Sequence, residues 1–187
     1  MASDGSRAKL AYDWNGSWTT LYSLYSDAAL CFHPSVTGFG SNTNSNYKST
    51  LTTDFIPHPL YTTQSTWYLS ALQKFGLPLD SRHLYAKSDW QFFAAAVASD
   101  EVRTAIIERV ARWVNETGTD RPFADLWETE GDGGFPDPWF YARPVVGGHF
   151  AGVALGRGCG GGGGTREVEG KVGGEEEVEG AKEADEL

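Results

Sequence analysis

Apolar residues that return at a helical period, and nowhere alternate, constrain this chain most. Trp18, Leu21, Tyr22, Tyr25, Ala29 and Phe32 fall at i, i+3, i+4, i+7, i+11 and i+14, which puts them on one face of a helix. Asn15, Gly16 and Ser17 precede it as capping residues, and the pattern predicts a helix over 17–32. A second is predicted over 59–75, with Tyr61, Tyr68, Ala71, Leu72 and Phe75 on one face and Gly76 and Pro78 to stop it. Ser88-Asp89-Trp90-Gln91 fits a capping box and predicts a third over 88–98. Ser99-Asp100-Glu101 caps a fourth that carries Val102, Ala105, Ile106, Val110 and Trp113 to about 115. A short apolar helix over 145–155 completes the set. With no strand-like alternation, the expected class is all-α.

Composition divides the chain. The stretch 157–187 holds nine acids, four bases and ten glycines in 31 residues, with no aromatic. Such a segment buries too little surface to offset its ordering entropy, so 156–187 is expected to be a disordered tail. It carries −5 of the net −10, which leaves the rest only mildly acidic and argues against nucleic acid as a partner. Residues 1–9 are likewise expected to be disordered, and 10–155 to fold. That part holds all the aromatics, 13% of the chain, enough for a sizeable core. Residues 33–54, rich in Ser, Thr, Asn and Gly, read as a long surface loop, and 120–144 as a Pro- and Gly-rich connector. No apolar run approaches about 18 residues, so no membrane span is expected. The first residues lack the apolar core of a signal peptide.

Consecutive helices tend to pack antiparallel, so the first, third and fifth are expected to start at one rim. The chemistry-bearing residues sit at those starts. One cluster is Tyr12-Asp13-Trp14-Asn15-Gly16-Ser17-Trp18. A second is Asp80-Ser81-Arg82-His83 with Lys87-Ser88-Asp89-Trp90. The third is Ala142-Arg143-Pro144 with Gly147-Gly148-His149. Helix N-termini and cations on one rim favour an anionic ligand group such as a carboxylate.

The same blocks, extended by Thr19-Thr20-Leu21-Tyr22, Gly76-Leu77-Pro78-Leu79, Trp113-Val114-Asn115-Glu116-Thr117 and Val145-Val146, resemble the C-terminal part of the six-helical-hairpin domain of the fungal glutaminase A family. The likeness covers about residues 10–155. It implies a secreted hydrolase that turns L-glutamine into glutamate and ammonia, on an (α/α)6 toroid similar to six-hairpin glycosidases, with the cleft at one end of the inner helices. Family members are several times longer. Five helices amount to about two and a half hairpins, so the expectation is a partial toroid, a fragment of such an enzyme that is inactive if the absent hairpins supply essential groups. A glycoside hydrolase of the same architecture and a non-catalytic remnant are the alternatives.

Amide hydrolysis requires an activated water or nucleophile, a proton donor to the departing nitrogen, and polarisation of the carbonyl. Asp13 and Asp89 are the acid/base candidates, each flanked by tryptophan; for Asp89 the competing role is compensation of a helix dipole. Lys87 and Ser88 invite a serine–lysine nucleophile, against which Ser88 serves equally as an N-cap. Arg82 and Arg143 are carboxylate clamps or holders of a structural acid. His83 and His149 are proton shuttles or packed loop residues. Trp14, Trp18 and Trp90 form a stacking wall for substrate or belong to the core. The substrate expected is a small molecule, L-glutamine or a sugar, and no cofactor is called for. Cys31 and Cys159 stand alone, and the four histidines lack ligand spacing, so no metal is expected. Gly156 to Gly161 matches a dinucleotide fingerprint only as part of a poly-Gly tract. Asn15 and Asn115 lie in glycosylation sequons.

Overall fold

The computed structural model of the protein describes residues 1–30, 55–137 and 140–157. Its helices are α1 (Leu24–Ala29), α2 (His58–Ala71), α3 (Ser88–Val97), α4 (Asp100–Glu116) and α5 (Ala151–Arg157), the last entered through a 3-10 helix (Pro144–Phe150). Two short strands, β1 (Tyr85–Lys87) and β2 (Leu126–Glu128), pair antiparallel with Ala86 opposite Trp127. The fold is helical, as expected, with one small ribbon that the apolar pattern did not announce.

Helix α3 is the centre. Its Ala94, Ala95 and Ala96 are wholly buried, and their small side chains admit close neighbours: α1, α4, α5 and the 3-10 helix all pack on it. On one flank Trp127 lies flat on Trp113, ring centroids 4.0 Å apart. Both indoles are buried with their N–H satisfied, Trp127 donating to the Phe75 carbonyl and Trp113 to that of Gly133, each at 2.9 Å. Phe75, Leu77, Val102 and Ile106 close this core. On the other flank Leu24, Ala28, Tyr61, Ala151 and Leu155 meet Ala96.

Several expectations are corrected by long-range pairing. The helix foreseen over 17–32 is reduced to α1 among the described residues, because 17–20 is extended against 78–81. Thr20 N–H donates to Leu79 O and its hydroxyl to Pro78 O, both at 2.8 Å, and Ser81 N–H donates to Trp18 O. A strand-like neighbour satisfies backbone groups that a helix would otherwise have claimed. Helix α2 ends at Ala71 rather than 75, since Leu72 turns extended and Phe75 is drawn into the core, donating to Thr129 O. The last helix is half 3-10 and reaches Arg157. Residues 1–9, expected to be disordered, fold back instead: Ala2 and Ala8 are buried, Thr19 N–H donates to Ala8 O, and the Arg7 guanidinium lies 4.9 Å over the Trp67 ring. The loop at 33–54, both cysteines and the tail beyond Arg157 lie outside the described residues.

Candidate active site

Where β1 runs into α3, the chain changes from extended to helical at Lys87, the N-cap residue. Ser88, expected to cap, does not. Its hydroxyl is buried without a partner, and Gln91, the other half of the expected capping box, accepts instead from Leu77 N–H at 2.8 Å. The helix start is held from outside: Ser88 N–H donates to Asp125 O at 2.9 Å. Asp125 stands just before β2, so the ribbon sets its position against α3.

Around this junction four charges alternate. Lys87 Nζ donates to Asp89 Oδ1 and lies 3.8 Å from Asp125 Oδ2. Arg143 grips Asp125 with a two-pronged contact, Nε to Oδ1 at 2.9 Å and Nη2 to Oδ2 at 2.5 Å. The Asp125 side chain is 2% exposed and that of Asp89 11%. Two cations and two carboxylates balance, which limits the desolvation cost of burying them. Hydrogen bonding to Asp125 pushes the Arg143 guanidinium above its ordinary pKa against partial desolvation, with the charges of Asp125 and Asp89 adding to the rise. Asp89 Oδ1 is engaged by Lys87, while its Oδ2 has no hydrogen bond.

The 3-10 helix covers the cluster. Gly148 sits so close to Asp89 that a Cβ there would lie 2.7 Å from Asp89 Cβ. His149 follows, its ring 4.3 Å from Phe92 and 5.5 Å from Phe123. Burial lowers its pKa, opposed by the charge of Asp89, and its Nε2 is buried without a partner. Trp90 stacks on Tyr22 at 3.8 Å. Beside the cluster lies a cavity of about 320 Å³ lined by Phe123, Asp125, Ala142, Arg143, Pro144 and Val146, at the small end of the range for ligand sites.

Lys87, Ser88, Asp89, Trp90, Arg143 and His149 are thus brought together. The remaining candidates stand elsewhere. Asp13 and Trp14 project from a loop closed by Ser17, whose hydroxyl donates to Trp14 O at 2.7 Å. Trp18 is half-buried, edge-on to Trp67. Arg82 is held by Asp80 in a two-pronged contact and is largely exposed, and His83 stacks on Tyr85. Among the described residues no hydrogen bond, ion pair or ring contact joins Asp13, Arg82 or His83 to the cluster. The expected single rim is therefore not assembled by helix starts: 12–18 opens no helix, and 80–83 leads into β1. Asn15 is exposed, and Asn115 is exposed in the last turn of α4. Among the described residues no group of three or more His, Cys, Asp or Glu is placed to hold a metal, and no helix is long and apolar enough to cross a membrane.

Comparison with known proteins adds the lineage. The model of the glutaminase A six helical-hairpin domain matches residues 35–153. The chain belongs to the glutaminase A family. It is 54% identical over 164 residues to a protein named "Probable glutaminase" from Arthroderma benhamiae, covering 84% of this chain and 19% of that one. It is 40% identical over 143 residues to Glutaminase A of Aspergillus oryzae, covering 76% of this chain and 18% of the relative. The chain thus spans about a fifth of the length of these relatives. No solved structure matches.

One member of the cluster in this glutaminase A family chain, Asp125, was not among the residues expected from the sequence. Asp125 interrupts the apolar run Phe123-Ala124-Asp125-Leu126-Trp127. An acid flanked on both sides by residues that bury is itself buried and therefore paired, and that signal was present in the connector.

Proposed function

We propose that this chain contributes the Lys87–Asp89–Arg143 mouth of a glutaminase-type hydrolase, in which its helices form an arc of the six-hairpin ring. The observation that carries the reading is Asp89: a carboxylate mostly withdrawn from water, with one oxygen tethered to Lys87 and the other without a hydrogen bond among the described residues, close to His149 and joined through Lys87 to Asp125, which with Arg143 lines a cavity of small-molecule size. Such a carboxylate can take a proton from a water that attacks the side-chain amide carbon of L-glutamine. The Lys87 ammonium stabilises the negative charge that develops on the carbonyl oxygen. The protonated Asp89 then returns the proton to the departing nitrogen, so water and amide become the γ-carboxylic acid and ammonia, and the acid's proton passes to the ammonia to leave carboxylate and ammonium. Ser88 has no part in this scheme, its hydroxyl being enclosed behind the helix start.

The test measures ammonia released from L-glutamine by the chain itself, and by the chain grafted in place of the matching segment of the Arthroderma benhamiae relative. Asp89→Asn is expected to lower kcat on the order of 10²–10⁴-fold while keeping the circular-dichroism spectrum of the folded chain, with a lower melting temperature from the charge left unbalanced on Lys87. Undiminished ammonia release by Asp89→Asn refutes the assignment. Release of phenol from aryl glycosides without ammonia replaces the amide reading with glycoside hydrolysis.

A further inference from the structure

Arg82 and Arg143 resemble one another in that each fork holds a carboxylate two-pronged, yet their surroundings differ. Arg82 is 63% exposed over open surface, whereas Arg143 is 36% exposed and lines the cavity of about 320 Å³. The guanidinium carbon of Arg143 also lies over the Phe140 ring, 3.9 Å from its centroid. The residue before it, Ala142, has φ +49°, a left-handed conformation unfavourable for alanine. Ala142 is held there by its N–H, which donates to Phe123 O at 2.9 Å, next to the Ala124–Tyr141 pairing. The two-pronged carboxylate contact sets the plane of the Arg143 guanidinium, and the ring and the backbone restrict its position. Asp125 uses Nε and Nη2, and Nη1 has no acceptor among the described residues.

Resting on the function proposed above, we infer that Asp125 is a positioning residue that presents the unused Nη1 edge of Arg143 to the α-carboxylate of an amino-acid substrate in the adjoining cavity. A guanidinium whose orientation is already settled loses little freedom on binding a second carboxylate, and a charge-assisted bond is among the stronger recognition contacts, here in a cavity whose walls apart from Asp125 and Arg143 are apolar. Division of labour follows. Arg143 and Asp125 hold the substrate by its unreactive end, and Lys87 and Asp89 lie toward the amide.

Binding of L-glutamine and of its α-amide, which lacks the carboxylate, to the full chain by isothermal titration tests this. The unmodified protein is expected to prefer L-glutamine at least about 10-fold, and Arg143→Lys and Asp125→Asn to reduce the preference to about 2-fold or less. In the active graft, Arg143→Lys is expected to raise KM about 10-fold with kcat within about 3-fold, the signature of lost binding rather than lost chemistry. Should the buried Asp125→Asn variant fail to fold, Arg143→Lys, altered at the cavity edge, carries the test. Equal binding of acid and α-amide, absence of glutamine binding in chain and graft alike, or a fall in kcat at unchanged KM overturns the inference. Carboxylate-dependent binding without ammonia release leaves it standing and refutes the hydrolase reading; ammonia release with KM unchanged in Arg143→Lys does the reverse.

Discussion

Two neighbouring glycines in the 3-10 helix ought to respond oppositely to the same substitution. A Cβ on Gly148 would stand 2.7 Å from Asp89 Cβ and 2.8 Å from Asp89 Cα, whereas one on Gly147 meets nothing within 4 Å. The obstacle at Gly148 belongs to the first turn of α3, which cannot rotate aside like a flexible side chain. The 3-10 helix must therefore retreat by about 0.7 Å to regain ordinary contact. Overpacking of this kind costs ~1–3 kcal/mol, offset by ~0.5–1 kcal/mol because alanine has less backbone freedom to lose. Gly148→Ala is thus expected to destabilise by about 1–2 kcal/mol. Gly147→Ala is expected to be neutral or to stabilise by up to about 1 kcal/mol. Urea melts with a shared m-value read the gap directly, and at roughly 2–4 °C per kcal/mol it is visible in Tm. The retreat also uncovers His149, so its imidazole pKa, followed by NMR, should rise toward its ordinary value in Gly148→Ala only. Equal stability of the two variants would refute the contact between the 3-10 helix and Asp89 on which the site depends.

Trp127→Ala removes the fully buried indole stacked on Trp113 and its bond to Phe75 O; a loss of ~3–5 kcal/mol in urea unfolding is expected, and less than about 1 kcal/mol would show that this stack is not the core. Ser88→Ala deletes a buried hydroxyl that has no partner, so stability should hold or rise by up to about 1 kcal/mol with ammonia release retained by the graft; loss of turnover in a folded variant would restore a nucleophilic serine. The His149 pKa is lowered by burial, so the unfolded chain binds the extra proton. Its contribution to stability is complete above the unfolded pKa, near 6.5, and is lost as pH falls from there toward the folded value. Melts across pH 5 to 7.5 should show that slope, flattened in His149→Gln; an unchanged slope would exclude the imidazole as its source.

What the sequence made legible follows the range of the forces involved. Helix α4 agrees closely with expectation because its determinants are local: Ser99 accepts from Val102 N–H, and Val102, Ile106, Val110 and Trp113 form one buried stripe. The start of α1 was not legible, since Thr19 and Thr20 are claimed by partners some sixty residues away, at 78–80, and propensity yields to such pairing. Strands of three residues are too short to display alternation, so β1 and β2 were hidden although they position Lys87 and Asp125. In the site, Lys87, Asp89, Arg143 and His149 were each visible as residue types in unusual blocks, but their partners were not. That both Arg82 and Arg143 turn one edge of their forks to acids of the chain is a fact of three dimensions that residue types in a sequence do not display.

The two carboxylates at the junction answer to different constraints although they share a lysine. Asp125 has both oxygens committed to Arg143, its backbone N–H bonded to Phe140 O and its carbonyl to Ser88 N–H, so it ties the connector, the Arg143 segment and the start of α3 into one rigid piece. A group so fully engaged holds others in place, because moving a proton on it would break contacts that nothing nearby could replace. Asp89 is engaged through one oxygen only and sits in the first turn of α3, where the helix dipole favours its charge. Its second oxygen has no hydrogen bond among the described residues, which is what the proposed base requires. In the proposed scheme, rigidity in one acid makes freedom in the other useful: a group that exchanges a proton works only when the surrounding cations stay fixed while its charge changes. That asymmetry, rather than the mere presence of four charges, distinguishes this junction from the Arg82–Asp80 pair, in which a buried acid is forked by an exposed arginine and, among the described residues, no second acid is paired with either.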